Sequence, residues 1–455
     1  DVYKRQMQGF EGDTLASALL ANDVRLVGRS FKYHRPRGMI SAGSEEPNAI
    51  VELRTGSRKE PNSRATTTEL YDGLVAHPQN CWPSLNFDFL GINDLLAPFL
   101  TAGFYYKTFM WPSVFWEKVY EPIIRRAAGL GSASLEPDPD CYDKGFLHTD
   151  VLVIGAGPAG LSAALTAARS GVRVIVVDED FVTGGRLNAE NYILDDKSGS
   201  QWAQDITDEL CSFTNVRVLR TTVIGAFDHG IYGAVERVSD HLKTPDPGKP
   251  RQILWRIYTK QAILCSGATE RSIVFENNDR PGIMLSGAIR NNVNRWAVTP
   301  NQNVAIFTNN NDGHQTARAL INKGVNVAAV IDTRKQRIDS PDYETFSNSV
   351  VSNTDGRLGL DSINIKHEDG TQRTVKCGAL GVSGGWNPNI HISSHHRGRP
   401  IWNEAIQSFI PDDNSPNGML AAGSATGFME LEDVIRSGYE SAKQALNKLL
   451  SLIHI

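Results

Sequence analysis

The sequence predicts an α/β protein of the Rossmann type preceded by a small α+β unit, and three observations carry that expectation. An apolar strand pattern at 149–154 runs into GAGPAG, an Ala-rich helix and a second strand that ends in acids. A similar strand, helix, strand pattern recurs at 303–332. Alternation of this kind builds parallel sheets with helical crossovers. Upstream of both, residues 7–56 carry helix and strand signals of their own.

Taken in order, Thr14, Leu15, Ala18, Leu19 and Leu20 form a short helical face, and AIVEL at 49–53 reads as a strand. The intervening loop, rich in Gly and charge, holds the densest basic run of the chain, Arg29, Lys32, Arg35 and Arg37. That run reads as a solvated face or as an anion or partner contact. Residues 57–80 are polar, and residues 81–130 are dense in aromatics, including Trp82, Phe87, Phe89, Phe104, Tyr105, Tyr106, Trp111, Phe115 and Trp116. Asp94, Pro98, Lys107 and Pro112 exclude a membrane helix there. The segment either packs across a neighbouring domain or forms a partner-docking surface, since aromatics concentrate at interfaces.

SLEPDPDCYDKG at 134–145 is turn-rich and reads as a linker. VLVIG, LSAALTAARSG and VRVIVVDE then make the first Rossmann unit; VAIFT, TARALINKG and VNVAAVID make the second. Short apolar strands at 376–385 and 417–423 and an amphipathic helix at Leu431–Leu450 return the chain to the first sheet. The expected domains are thus 1–60, a linker and helical segment at 61–145, a first Rossmann domain over 146–300 and 376–455, and a second over 301–375.

A chain of 455 residues accommodates several cores, about three at roughly 150 residues each. Net charge −5 and pI near 6.2 disfavour nucleic acid, whose binding needs Lys and Arg on phosphates. Five scattered cysteines, Cys81, Cys141, Cys211, Cys265 and Cys377, give neither a disulfide framework nor metal spacing. A reducing cytoplasm and no metal are expected. No signal segment opens the chain, and the ends, DVYKRQ and SLIHI, read as translated adapters around a fragment of a longer frame.

In GAGPAG, Gly155 permits the tight turn, Gly157 lets the backbone approach a pyrophosphate, and Gly160, beside Ala159, lets the helix pack on the sheet. The helix N-terminus then faces the anion. Asp178 is the favoured acceptor for the adenosine ribose, with Glu179 and Asp180 as alternatives; an acid there repels a 2'-phosphate and so disfavours NADP. The second unit's turn, TNNNDGHQTA, offers a single Gly313, although Asp332 ends its next strand. It reads as a structural repeat without ligand, with His314 as a surface turn residue.

Further positions resemble two-dinucleotide flavoprotein reductases. Thr183, Gly184, Gly185 and Arg186 stand where those proteins carry a second glycine pair, Val223 follows Thr222 where backbone meets adenine, and Gly267 lies in AILCSGATER, similar to their cofactor-crossing segment. In MLAAGSATG (419–427), Ser424 follows Gly423 where FAD-binding relatives place an Asp for the ribityl chain. That replacement favours NAD over FAD.

Four blocks together resemble the alpha subunit of heterotetrameric sarcosine oxidases: EGDTLASALLANDVRLVGRSFKYHRPRGMISAGSEEPNAIVEL (11–53), GAGPAG, ATERSIVFENNDRPGIMLSGAIR (268–290) and VSGGWNPNIHISSHHRGRPIWNE (382–404). The resemblance implies a two-dinucleotide-domain flavoprotein-reductase-like fold with an N-terminal ferredoxin-like (β-grasp) domain. It implies noncovalent NAD at the first Rossmann site, bordered by Ser424, Met429 and Leu431, with FMN at the junction with the beta subunit and FAD in that subunit. Beta, gamma and delta subunits are the implied partners, sarcosine the substrate, and a folate-binding half is missing from this fragment. Related ferredoxin-like modules hold a two-iron cluster by cysteines, but Gly38–Asn48 contains none, so no cluster is expected. No catalytic residue stands out. The rival readings are a self-contained FAD and NAD(P)H reductase, which would need a glycine-rich second turn and a redox cysteine pair, and a purely structural interaction protein, which would retain no nucleotide.

Overall fold

The computed structural model describes residues 5–100, 103, 111–228, 230–336, 338, 340–395, 398–412 and 416–453. The aromatic positions Phe104, Tyr105 and Tyr106, together with Lys107, lie outside that set. Two compact units emerge, one of Asp1–Pro139 and Ser272–Gly384, the other of Asp140–Arg271 and Gly385–Ile455. No helix among the described residues is long and apolar enough to cross a membrane.

The second unit is built on a six-stranded sheet ordered Ile231–Arg237, Val216–Phe227, Val174–Asp178, Tyr142–Ile154, Gln252–Leu264 and Met419–Ala421. Its pairings are parallel except those made by Ile231–Arg237. Val151–Val153 and Val174–Val177 are buried, as parallel strands covered on both faces require. Pro158 sits in the first turn of the helix Pro158–Arg169, where its missing N–H costs nothing. Leu161, Ala163, Ala164, Ala167 and Ala168 of that helix are buried. The closing helix Leu431–Ile453 runs tight against it: a Cβ on Gly438 would lie 2.1 Å from the Ala159 carbonyl oxygen.

In the first unit, Thr14 and Ser17 form a capping box at the start of the helix Leu15–Ala21. A three-stranded antiparallel sheet, Glu60–Arg64, Ile50–Leu53 and Ala76–Pro78, stands beside it. The same unit holds a five-stranded parallel sheet ordered Ile283–Leu285, Ala379–Ser383, Asn303–Thr308, Asn326–Asp332 and Thr345–Phe346. Leu15, Val27, Met39, Ala49 and Val51 share one core with Met284, Leu285, Ala288 and Ile289. The ferredoxin-like part and the second Rossmann-like part are therefore cemented by apolar contact.

This arrangement moves several expected boundaries. Residue 60 opens a strand rather than closing a domain. Residues 142–145, expected in the linker, extend the first Rossmann strand, which pairs with Gln252–Leu264 along its length. Residues 283–285 and 379–383 join the second sheet rather than the first; only 419–421 returns to the first. Short apolar runs carry no mark of which sheet they enter, because their pairing partners are distant in sequence.

Candidate functional site

The glycines of the first turn divide into two kinds. Gly155 has φ +100°, and a Cβ there would lie 2.3 Å from the Cys265 carbonyl oxygen. A Cβ on Gly160 would lie 1.8 Å from the Gly155 carbonyl oxygen. These two are required by the fold itself. Gly157, the N-cap of the helix Pro158–Arg169, meets nothing within 4 Å at its Cβ position. The space above it is open, as a turn that admits a pyrophosphate must be.

Gly185 brings the second glycine pair to the same spot, for its Cβ position is 3.2 Å from the Gly157 Cα. The Gly184 N–H donates to the Ala156 carbonyl at 2.8 Å, fastening the two turns together. Gly184 and Gly185 both have positive φ, +112° and +51°, which favours glycine at each. Arg186 does not present a free cation here: its guanidinium pairs with Glu190 at 2.5 Å and stacks 3.8 Å over the Trp386 ring.

Asp178 ends its strand with the carboxylate turned into the turn. Oδ2 accepts from the Ala156 N–H at 2.5 Å and Oδ1 from the Asp180 N–H at 2.9 Å. Each oxygen keeps a further lone pair for a ribose hydroxyl. Burial pushes its carboxyl up to about 6, against the pull of those two N–H groups and with help from Asp180 and Glu179. Glu179 is exposed and Asp180 half-buried.

Val223 lies at an irregularity in the pairing of its strand with Ile231–Arg237. Gly267 (φ +71°) follows Gln252–Leu264, and its Cβ position is open. Gly423 (φ +67°) is packed by Ala159, 2.7 Å from its Cβ position, and its N–H donates to Ser437 Oγ at 3.1 Å. Ser424 and Met429, between the last strand and the closing helix, and Leu431, which opens that helix, are half-buried. Gly155, Asp178, Gly267 and Gly423 thus all stand at the carboxyl ends of parallel strands, where open α/β sheets take ligands.

Asn389 was not singled out from the sequence, yet its amide donates to the Ser266 carbonyl at 3.1 Å and accepts from Thr269 Oγ1 at 2.9 Å. It clamps the segment around Gly267 from the end of the strand Trp386–Pro388, which pairs with Ala268–Glu270; no local sequence pattern marks it.

Elsewhere the structure corrects the sequence reading. His314 is no surface turn residue: it sits in the helix Asn311–Asn322, 1% exposed, with Nε2 2.9 Å from Asp332 Oδ2. Arg334 also pairs with Asp332 at 2.8 Å. Burial alone would raise Asp332, but the hydrogen bonds from His314 and Arg334 bring its carboxyl down to about 2. Of the basic run, Arg35 and Arg37 pair with Asp279, and Arg29 donates to the Leu85 and His34 carbonyls. Those guanidiniums serve the first unit's interior contacts. Burial pushes the thiols of Cys265 and Cys377 up to about 12, which leaves them inert rather than redox active.

Residues 4–81 match a family described as a 2Fe-2S iron-sulfur cluster binding domain, and residues 150–238 match the FAD dependent oxidoreductase family. The chain is 49% identical over 450 residues to sarcosine oxidase subunit alpha of Rhizobium meliloti (strain 1021), covering 98% of this chain and 45% of that protein. It is 35% identical to sarcosine oxidase subunit alpha of Corynebacterium sp. (strain U-96), over 95% of this chain and 42% of the other. The chain therefore spans less than half the length of these relatives. Among solved structures, L-proline dehydrogenase from P. horikoshii shares the fold, with TM-score 0.65 and 18% identity over 98% of this chain and 72% of that one.

The residues do not fit the cluster named by the first match. Such a cluster takes four thiolates, and residues 4–81 contain Cys81 alone. Burial pushes that thiol up to about 11, away from the thiolate a metal would need.

Proposed function

The chain is a relative of the sarcosine oxidase alpha subunits, and on that premise we propose that it forms the dinucleotide-holding part of such a subunit. The assembly in this reading is a cytoplasmic, flavin-dependent oxidoreductase acting on CH–NH donors. Sarcosine, O2 and water become glycine, formaldehyde and hydrogen peroxide. FAD resides in the beta subunit and FMN at its junction with this chain, with gamma and delta subunits completing a heterotetramer. No catalytic residue is assigned to this chain.

What carries the reading is the meeting of Gly157, Gly185 and the Asp178 carboxylate at the carboxyl ends of the parallel strands of one sheet. The ligand proposed there is NAD. Gly157 admits its pyrophosphate against the N-terminus of Pro158–Arg169, and Asp178 accepts an adenosine ribose hydroxyl, with Glu179 and Asp180 adding charge that repels a 2'-phosphate. Ser424, Met429 and Leu431 border the nicotinamide end. A bound NAD supplies hydride-acceptor chemistry in general, but here it is read as a resident, structural group.

A second reading, FAD in the same cleft, is favoured by the match of residues 150–238 to the FAD dependent oxidoreductase family. Ser424 argues against it, since no carboxylate stands there for the ribityl hydroxyls. Mass spectrometry of the ligand released on denaturing the purified chain separates the two. NAD is expected; FAD selects the second reading, and an empty protein overturns both.

A further inference from the structure

Glu46 is 1% exposed, and its carboxylate is surrounded by donors. Oε2 accepts from the N–H groups of Ile40 at 2.8 Å and Ser41 at 2.7 Å, and from the Ser41 hydroxyl at 3.4 Å. Oε1 accepts from the N–H groups of Asn48 at 2.7 Å and Ala49 at 3.1 Å. Among the described residues these partners are neutral dipoles, with four backbone amides converging on one carboxylate. Amides gathered in this way form an anion-binding concavity. A buried carboxylate so saturated is tolerated where an unpaired one would be expelled.

The loop that gathers them, residues 39–49, falls inside the stretch that matches the cluster-binding family. Sulfurs of an iron-sulfur cluster are themselves acceptors of hydrogen bonds from the surrounding protein, and the cluster with its thiolates is an anion. This stretch gathers amides around an anion while lacking the thiolates. We propose that Glu46 is the built-in anion of this loop, taking the amide donors that a cluster would otherwise engage and holding the ferredoxin-like domain closed without metal.

The closed loop has a mechanical role. Ile40, whose N–H goes to Glu46, offers its carbonyl to the Leu285 N–H at 2.7 Å. Leu285 ends the first strand of the parallel sheet in the same unit and caps the helix Ser286–Trp296. Met39 and Ala49 flank the loop and enter the core that Met284 and Leu285 share. Glu46 therefore fixes the brace between the N-terminal domain and the second Rossmann-like sheet. The domain acts as a strut rather than an electron relay.

The test uses the full chain with Glu46→Gln and Glu46→Ala. Both substitutions should lower the thermal midpoint by about 5–10 °C. Formate, a carboxylate small enough for the vacated space, should restore part of the midpoint of Glu46→Ala while leaving the unsubstituted chain unmoved. Amide exchange should quicken at Ile40, Ser41, Asn48, Ala49 and Leu285 in Glu46→Gln. If Glu46→Ala does not fold unaided, the comparison is made as refolding yield with and without formate. An equal response to formate in variant and unsubstituted chain overturns the proposal. So does a stoichiometric cluster taken up by the unsubstituted chain on anaerobic incubation with ferrous iron and sulfide.

Discussion

In the proposed dinucleotide site, Asp178 carries the pH dependence. Burial raises its carboxyl from the ordinary 3.8 to about 6 in the ligand-free chain, so the folded state holds a proton that the unfolded state has released. Its contribution to stability is full below 3.8 and is lost as pH rises through about 6. A ribose hydroxyl donating to the carboxylate favours the ionised form, so binding runs the other way. Dinucleotide affinity should be flat above pH about 6 and fall about tenfold per pH unit below it. Asp178→Asn should remove that dependence and weaken binding by roughly 10–100-fold, the worth of a hydrogen bond to a charged acceptor. Calorimetric titration of the stripped chain at several pH values checks both; a profile shared by the variant and the unsubstituted chain refutes the role. Asp178 and Gly157 were legible as residues because GAGPAG fixes their spacing. The Ala156 amide that holds Asp178 was not, since a backbone group has no letter in the sequence.

At the scale of elements, the second Rossmann-like repeat matches the first in pattern but differs in what its acid meets. Asp332 ends Asn326–Asp332 as Asp178 ends its own strand, but His314 and Arg334 occupy its carboxylate. Gly313 packs on its strand as Gly160 does, for a Cβ there would lie 2.5 Å from the Thr308 side chain. The acid is spent inside the unit. Asp332→Ala should cost about 3 kcal/mol by stranding the buried His314 and removing the partner of Arg334. The loss should be present at neutral pH, because the depressed carboxyl stays ionised until pH falls through about 2. Nucleotide content should not change. Denaturant unfolding with quantitation of released nucleotide reads both, and a variant that loses nucleotide while keeping its stability would contradict this division. Strand and helix periodicity revealed the element; the engagement of its acid follows from a histidine and an aspartate eighteen positions apart meeting in space.

On the scale of the whole molecule, large apolar side chains remain uncovered. Trp82, Phe87 and Trp111 are 63%, 61% and 83% exposed, and Leu95, Phe99 and Ile123 are exposed with them. The start of this segment packs on the N-terminal domain, where Arg29 donates to the Leu85 carbonyl and the Tyr33 hydroxyl to the Leu100 carbonyl, yet these apolar side chains stay exposed. Exposed apolar surface of this extent supports the subunit reading, in which the chain awaits other polypeptides. The isolated chain should then give no peroxide from sarcosine; turnover without a partner would end the subunit proposal. The Rossmann class, the glycine turn with its acid, and the lack of four thiolates in the N-terminal domain were readable from the residues alone, because each rests on residue identity at short spacing. Folding set which sheet the short strands join, that the second acid is already engaged, and that four amides converge on Glu46. Those outcomes depend on backbone donors and distant partners, whose meeting is set by packing of the whole chain and not by any local pattern.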